Sequence, residues 1–236
     1  MAVAHVSTTA YEQTTNAASK TIASYVVSSG SNRALIVTVA LEVDARTVSG
    51  ITFNTTEAFT LKSAHTYTPG SGPQFRIEVW RLLAPSVTTA SIVISLAGGT
   101  ATFSGGVHQL TGVDQTTPLG TAVTSGAATA NPSVTVADGS TGDLVLDILQ
   151  ESVGVATVGA GQTLGYDNTG LSFYFTHGSR EAGAASVAMS WTMSAGERHL
   201  VAINIFQVST PAVVDHLLPA FSQLAGGGKM IGRRYV

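Results

Sequence analysis

Apolar and polar residues alternate with a period of two along most of the chain, a pattern that predicts β-strands. In the stretch RALIVTVALEV, the apolar positions that share one face are Leu35, Val37, Val39, Leu41 and Val43. The same period recurs in QFRIEVWRLL, ASIVISLA, GDLVLDILQE, LSFYFTHGSR, ASVAMSWTM and HLVAINIFQV. Each stretch predicts a strand with one face in a core, so the pattern places the chain in the all-β class.

The two halves of the chain have the same rhythm of strands and loops. Each half runs through a long strand, a loop-rich stretch, an aromatic strand, a strand that starts Ala-Ser at Ala90 or Ala185, and a closing strand with Gln109 or Gln207. We interpret this rhythm as a weak structural repeat.

About eight to ten long strands predict one antiparallel β-sandwich of jelly-roll type. Two separate four-stranded domains would each have too little core and too many open sheet edges. The predicted organisation is an N-terminal segment at residues 1–23, a sandwich at 24–208 and a C-terminal arm at 209–236.

A polar loop, QLTGVDQTTPLG at residues 109–120, separates the two halves. Gly112 lets the backbone turn, Asp114 can accept hydrogen bonds from the two amides that follow it, and Pro118 cannot donate to a sheet. We interpret this crossover loop as the connection between the halves. Its side-chain oxygens leave a ligand site as the alternative.

The composition is unusually poor in charge. Charged residues are 11% of the chain, against about 25% in an average soluble domain. A surface with so little charge favours contacts with partners, so we expect a homo-oligomer or an assembly component. The net charge of −3 argues against nucleic-acid binding, and the chain has no cysteine for disulfides or thiolate metal sites.

Targeting and membrane signals are not apparent in the sequence. The N-terminal stretch MAVAHVSTTAYEQTT lacks a charged region followed by an apolar run, as a secretory signal requires. No apolar run approaches the roughly 20 residues of a membrane span. We expect a soluble protein that does not bind a membrane.

The residues with chemical potential form no catalytic or metal-binding motif. The histidines occur singly, without metal-ligand spacing, and no G-x-S-x-G elbow is present. The stretch DGSTGD, Asp138 to Asp143, has two carboxylates around a glycine-rich turn, so calcium is conceivable. It lacks the dense oxygen series of a calcium loop, and we favour a plain turn. The sequence therefore predicts no enzyme, no cofactor and no metal.

Two tryptophans receive different predictions. Trp191 is in phase with Val187 and Met189 and is predicted to lie in a core. Trp80 falls instead on the polar face of its strand, and the residues proposed for that surface are Tyr67, Arg76, Glu78 and Trp80. Either this face is covered or forms an interface, or it is a platform for a sugar ring.

The C-terminal stretch departs from the strand pattern. Its apolar residues predict a short helical arm, interrupted by Pro219 and ended by the glycines from Gly226 to Gly228. The arm either docks on its own domain or anchors the protein to a neighbour. The residues proposed for anchoring are Leu217, Leu218, Phe221, Leu224, Lys229, Arg233 and Arg234.

The chain resembles a group of jelly-roll domains found in tailed-bacteriophage virion proteins and in related bacterial sequences. The stretches SNRALIVTVALE, VWRLLAPSVTTASIVISLAG and GGVHQLTGVDQTTPLG carry the resemblance, which spans roughly residues 24–208. It implies a non-enzymatic structural protein of the virion, such as a capsid decoration, cement or head-fibre subunit. It also implies a homo-oligomer, with a trimer favoured, and a partner such as the major capsid protein.

Two other functions stay open at this stage. A carbohydrate-binding, lectin-like module of a phage tail or a bacterial surface protein would use Trp80, Tyr67 or the crossover loop. A hydrolase on a jelly-roll scaffold has no motif in its favour.

Overall fold

The computed structural model describes residues 1–42, 46–70, 72, 74–172 and 174–209. These residues form seventeen strands, and every strand pairing is antiparallel. Within the same residues, no helix has the length and apolar character to span a membrane. The predicted all-β class is confirmed.

Strands follow one another with short connections. The first nine are β1 (Ala4–Ala17), β2 (Ser19–Val26), β3 (Ala34–Glu42), β4 (Thr47–Phe53), β5 (Glu57–Ala58), β6 (Thr60–Tyr67), β7 (Phe75–Leu83), β8 (Thr89–Ala97) and β9 (Ala101–Thr111). The other eight are β10 (Val123–Thr129), β11 (Ser133–Val136), β12 (Leu144–Glu151), β13 (Ala156–Val158), β14 (Thr163–Asn168), β15 (Phe175–Ala182), β16 (Val187–Met193) and β17 (Gly196–Ile205).

The β-sandwich class is confirmed, but the prediction of one sandwich is wrong, because each half of the chain forms a sandwich with its own core. In the first half, the sheet β1-β9-β3-β7-β6 faces the sheet β2-β8-β4-β5. In the second half, β10-β17-β12-β15-β14 faces β11-β16-β13, so the two strand orders correspond except that β5 has no counterpart. We call β1–β9 the first roll and β10–β17 the second roll. The strand number exceeds the predicted eight to ten because short and polar strands complete each roll.

The N-terminal residues are part of the first roll. β1 pairs along the length of β9, from Ala4 opposite Thr111 to Ala17 opposite Ala101. β2 then crosses to the other sheet and pairs with β8. Residues 1–23, which the sequence pattern had set apart from the sandwich, therefore supply its first strand and most of its second.

The central strands of the two five-stranded sheets are buried on both faces. Strand β3 directs Leu35 and Val37 into the core of the first roll. Its opposite face places Ala34 and Ile36 in a second core, which also contains Leu146 of β12 and is shared by both rolls. Alternation assigned these residues to the correct faces, but the second face meets the other roll instead of water. A strand covered on both faces is expected to be almost continuously apolar, as β3 is.

The rolls pack with an internal pseudo-two-fold symmetry. Strand β1 contacts β14, and the counterpart strands β10 and β6 contact each other. Likewise β9 contacts β15, and their counterparts β17 and β7 are in contact. Exchanging each strand for its counterpart thus interchanges the two members of each of these pairs of contacts. Such a self-complementary contact is the arrangement of a symmetric homodimer, here made within one chain.

Candidate functional site

The crossover loop forms the turn that its sequence predicts. Gly112 has a φ of +72°, and a Cβ on it would lie 2.2 Å from the carbonyl oxygen of Ala2. Oδ1 of Asp114 accepts hydrogen bonds of 2.8 Å from the amides of Thr116 and Thr117. These amide bonds lower the pKa of Asp114. The accepted amides lie one residue further along than predicted.

This loop also holds the end of the last strand. The amide of Asp114 donates to the Phe206 carbonyl oxygen at 2.9 Å. The amide of Phe206 donates to the carbonyl oxygen of Pro118, also at 2.9 Å. The amide of Val208 donates to the carbonyl oxygen of Gly112 at 2.8 Å. The crossover loop therefore pairs with the chain just before the C-terminal arm.

The DGSTGD loop holds the same segment from its other side. Asp143 is buried, and its Oδ1 accepts from the Gln207 amide at 2.8 Å. Its Oδ2 accepts from Asn204 Nδ2 at 3.0 Å. Asp138 points elsewhere and accepts from the amide of Thr121 at 3.0 Å. The two carboxylates do not converge, and the described residues contain no cluster of three or more metal-binding side chains.

Removal of divalent metal is therefore expected to leave the fold unchanged. The Asp143 carboxylate already accepts bonds from protein donors, so its stabilising role needs no cation. We expect the same Tm in 5 mM EDTA and in 5 mM calcium by differential scanning fluorimetry. A Tm that falls in EDTA and recovers with calcium would contradict this assignment.

Together the two loops form a clamp around the exit of the chain. We call this exit clamp residues 112–118 and 138–143, which hold residues 204–208 between them. A cleft of about 530 Å³ opens beside it and is lined by Asp114, Thr117, Ser140, Asp143, Phe206, Gln207, Val208 and Ser209. The N-terminal nitrogen of Met1 lies 3.4 Å from the Val208 carbonyl oxygen, so the chain starts and leaves this part of the structure at one end.

The residues proposed for anchoring lie outside the described residues. They are Leu217, Leu218, Phe221, Leu224, Lys229, Arg233 and Arg234. The exit clamp nevertheless fixes the place from which this segment starts.

Three of the four residues proposed for an aromatic surface form one hydrogen-bonded cluster, in which Glu78 and Trp80 are buried and Arg76 is partly exposed. The Glu78 carboxylate accepts from Arg76 Nε at 2.6 Å and from Trp80 Nε1 at 2.9 Å. It also accepts from the amide of Val48 at 3.2 Å. Glu78 is 1% exposed and Trp80 is 7% exposed, within the first roll. The face is covered, and Trp80 offers no platform for a sugar ring.

Tyr67 lies apart from that cluster, at the contact between the rolls. Its hydroxyl donates to Glu197 Oε2 of the second roll at 2.8 Å. Its ring packs on Gly126, where a Cβ would lie 2.3 Å from the ring. The ring centroid is 6.2 Å from that of His199. Tyr67 therefore joins the two rolls.

The sequence analysis did not single out the buried carboxylate of Asp147. Asp147 lies in the core of the second roll and accepts from Trp191 Nε1 at 2.8 Å, which gives the predicted core tryptophan its partner. Oδ1 of Asp147 accepts from the amide and the hydroxyl of Ser179. Burial raises the pKa of Asp147 to about 6. A charged residue inside the apolar run LVLDILQ was the only sequence signal for it.

His177 is also bonded within the second roll. Its Nε2 lies 3.0 Å from Oε1 of the buried Glu151, and its Nδ1 lies 2.8 Å from Oδ1 of Asp167. Glu151 additionally accepts from the amide of Gly154. This network ties β12, β14 and β15 together at one end of the sheet.

Comparison with protein-family models, curated proteins and solved structures finds no match for this chain. The geometry and the sequence are therefore the basis for any functional assignment.

Proposed function

We propose that the protein is a non-enzymatic structural subunit of a tailed-bacteriophage virion, most specifically a capsid decoration, cement or head-fibre subunit. It acts as a homo-oligomer, with a trimer favoured, and attaches to the particle through its C-terminal arm. The resemblance of its strands and crossover loop to phage jelly-roll domains supports the class of protein. The exit clamp supports the mode of attachment and is the observation on which the proposal depends.

The exit clamp supports attachment because it holds the segment that leads into the arm, residues 204–208, on two sides. Residues 204–208 are bonded on one side to the crossover loop and on the other to Asp143. A tether that starts from a fixed point loses less conformational entropy on binding than one that starts from a mobile end. The clamp thus suits an arm that carries load between the double roll and a neighbour.

The double roll itself suits a subunit that must keep its shape. Three apolar cores join its four sheets, and the middle core joins the rolls. The prominent buried carboxylates Glu78, Asp143 and Asp147 are each bonded by donors of the fold. These carboxylates therefore stabilise the fold, which fits a structural subunit.

Deletion of residues 211–236 is expected to leave a folded double roll that no longer associates or attaches. Among the described residues, the three cores are complete by residue 205, so we expect the double roll to fold without the arm. Burial of the apolar side chains of the arm against a neighbour would stabilise the contact by about 25 cal/mol for each Å² of apolar surface removed from water. Light scattering should show a trimer for the full chain and a monomer for the truncated chain, and both should melt cooperatively.

Particle binding completes that test. The full chain should co-sediment with phage capsids that lack their decoration proteins, and the truncated chain should stay in the supernatant. The substitution Leu61→Ser on an exposed position of β6 is a matched control and should not change sedimentation. A monomeric full chain, or a truncated chain that fails to fold, would overturn the proposal.

A further inference from the structure

We propose that the contact between the two rolls is an acid-sensitive joint. Protonation of His108 and His199 separates the two five-stranded sheets, while each roll keeps its own core. The proposal depends on two tyrosine–histidine contacts that the internal symmetry places at opposite edges of the shared core.

The first contact lies between β9 and β14. The ring of His108 in the first roll packs against the ring of Tyr166 in the second, with centroids 5.9 Å apart. Nδ1 of His108 lies 3.1 Å from the Thr8 hydroxyl, which in turn lies 2.8 Å from His5 Nε2. Nε2 of His108 is buried and has no hydrogen-bond partner among the described residues. A proton on Nε2 would therefore be buried without an acceptor.

The second contact repeats this arrangement with the rolls exchanged. The ring of Tyr67 on β6 packs against the ring of His199 on β17. Nδ1 of His199 is likewise buried without a hydrogen-bond partner in the described part of the chain. In both contacts a tyrosine from the strand that ends the five-stranded sheet of one roll meets a histidine from the closing strand of the other.

The charged neighbours of both rings oppose protonation. Burial, His5 on β1 and Arg180 on β15 lower the pKa of His108 to about 3. Burial and His65 on β6 lower the pKa of His199 to about 4. The carboxylate of Glu197 on β17 accepts a hydrogen bond from the Tyr67 hydroxyl of β6. Among the described residues, neither His108 nor His199 forms an ion pair with a carboxylate.

These contacts make the joint weaken as the pH falls. A free histidine has a pKa of about 6.5. Because the pKa values in the closed joint are lower, the open state binds more protons below pH 6.5, and acid favours opening. This contribution is complete at neutral pH, decreases below about pH 6.5 and is lost by about pH 3 to 4.

The buried histidine within the second roll has a different environment from the two histidines of the joint. His177, the buried histidine inside the second roll, differs from both rings, because its Nε2 lies 3.0 Å from Oε1 of the buried Glu151. Opening is therefore expected to expose the shared core, including Ile36 and Ile203, before either roll unfolds.

The chain carries its own probes for the test. Trp80 reports the core of the first roll and Trp191 that of the second, because each is buried there. The full chain should be titrated from pH 7.5 to 3 with tryptophan emission, binding of the dye ANS and small-angle scattering. We expect ANS binding and a larger radius of gyration at a pH where tryptophan emission is unchanged. Coincident changes in all three signals would overturn the proposal, as would a compact, ANS-free chain at pH 3.5.

A double variant tests the residues. His108→Phe with His199→Phe keeps a ring at each contact and removes the proton site, so the opening midpoint should fall by at least one pH unit. His177→Gln, inside the second roll, is the matched control and should leave that midpoint in place. An unchanged midpoint in the double variant, or an equal shift in the control, would refute the mechanism. The wild-type titration remains decisive if a variant does not fold.

Discussion

Replacing Gly106 with alanine is expected to lower the free energy of unfolding by about 3 kcal/mol or more, because overpacking a rigid core costs this much where no neighbour can move. A Cβ at this position would lie 2.4 Å from the ring of Tyr166. Tyr166 has little room to move, because its hydroxyl is hydrogen-bonded to Thr38 at 2.9 Å and its ring also packs on Gly178, where a Cβ would lie 2.2 Å from it. Urea unfolding followed by circular dichroism measures the loss.

The control for this substitution is Gly50→Ala. No atom lies within 4 Å of a Cβ built on Gly50, so its effect should stay within about 0.5 kcal/mol. In a Tyr166→Leu background the cost of Gly106→Ala should shrink, which a double-mutant cycle measures as coupling. An undiminished cost in that background would show that the ring is not the obstacle.

Small residues on the second face of β3 explain why sequence analysis missed the joint between the rolls. Alternation in β3 located the strand and its two faces, because Leu35 and Val37 share one period. The opposite face carries Ala34 and Thr38, whose small side chains are as common on wet surfaces as in tight contacts. Only the tertiary structure shows that such small residues admit a second sheet.

The crossover loop marks the other limit of sequence analysis. Its turn followed from Gly112 and Asp114, because an Asx turn is a local structure. Its role in the exit clamp depends on Phe206 and Val208, which are distant in the chain and carry no local signal. The histidines of the joint are equally silent, since His108 and His199 belong to no spaced motif. Long-range pairing therefore determines what the local patterns do.

Substitution of Asp147 by asparagine is expected to destabilise the second roll by about 1 to 3 kcal/mol, the range for buried groups left without partners. Four donors point at this carboxylate. Oδ1 faces the amide and the hydroxyl of Ser179, and Oδ2 faces Trp191 Nε1 and Gln162 Nε2. An asparagine in either orientation brings its NH₂ group against one of these N–H donors. Urea unfolding followed by Trp191 emission measures the effect.

Asp138→Asn supplies the matched control for that prediction. Asp138 is exposed, and the bond that it accepts from the amide of Thr121 needs only the oxygen that asparagine retains. Its effect on stability should stay within about 0.5 kcal/mol. Equal losses for both substitutions would mean that loss of negative charge, and not the orientation of the donors, determines stability. A loss of stability confined to the Asp147 substitution would show that the second roll needs a buried hydrogen-bond acceptor at this position. Glu78 is the buried acceptor of the first roll.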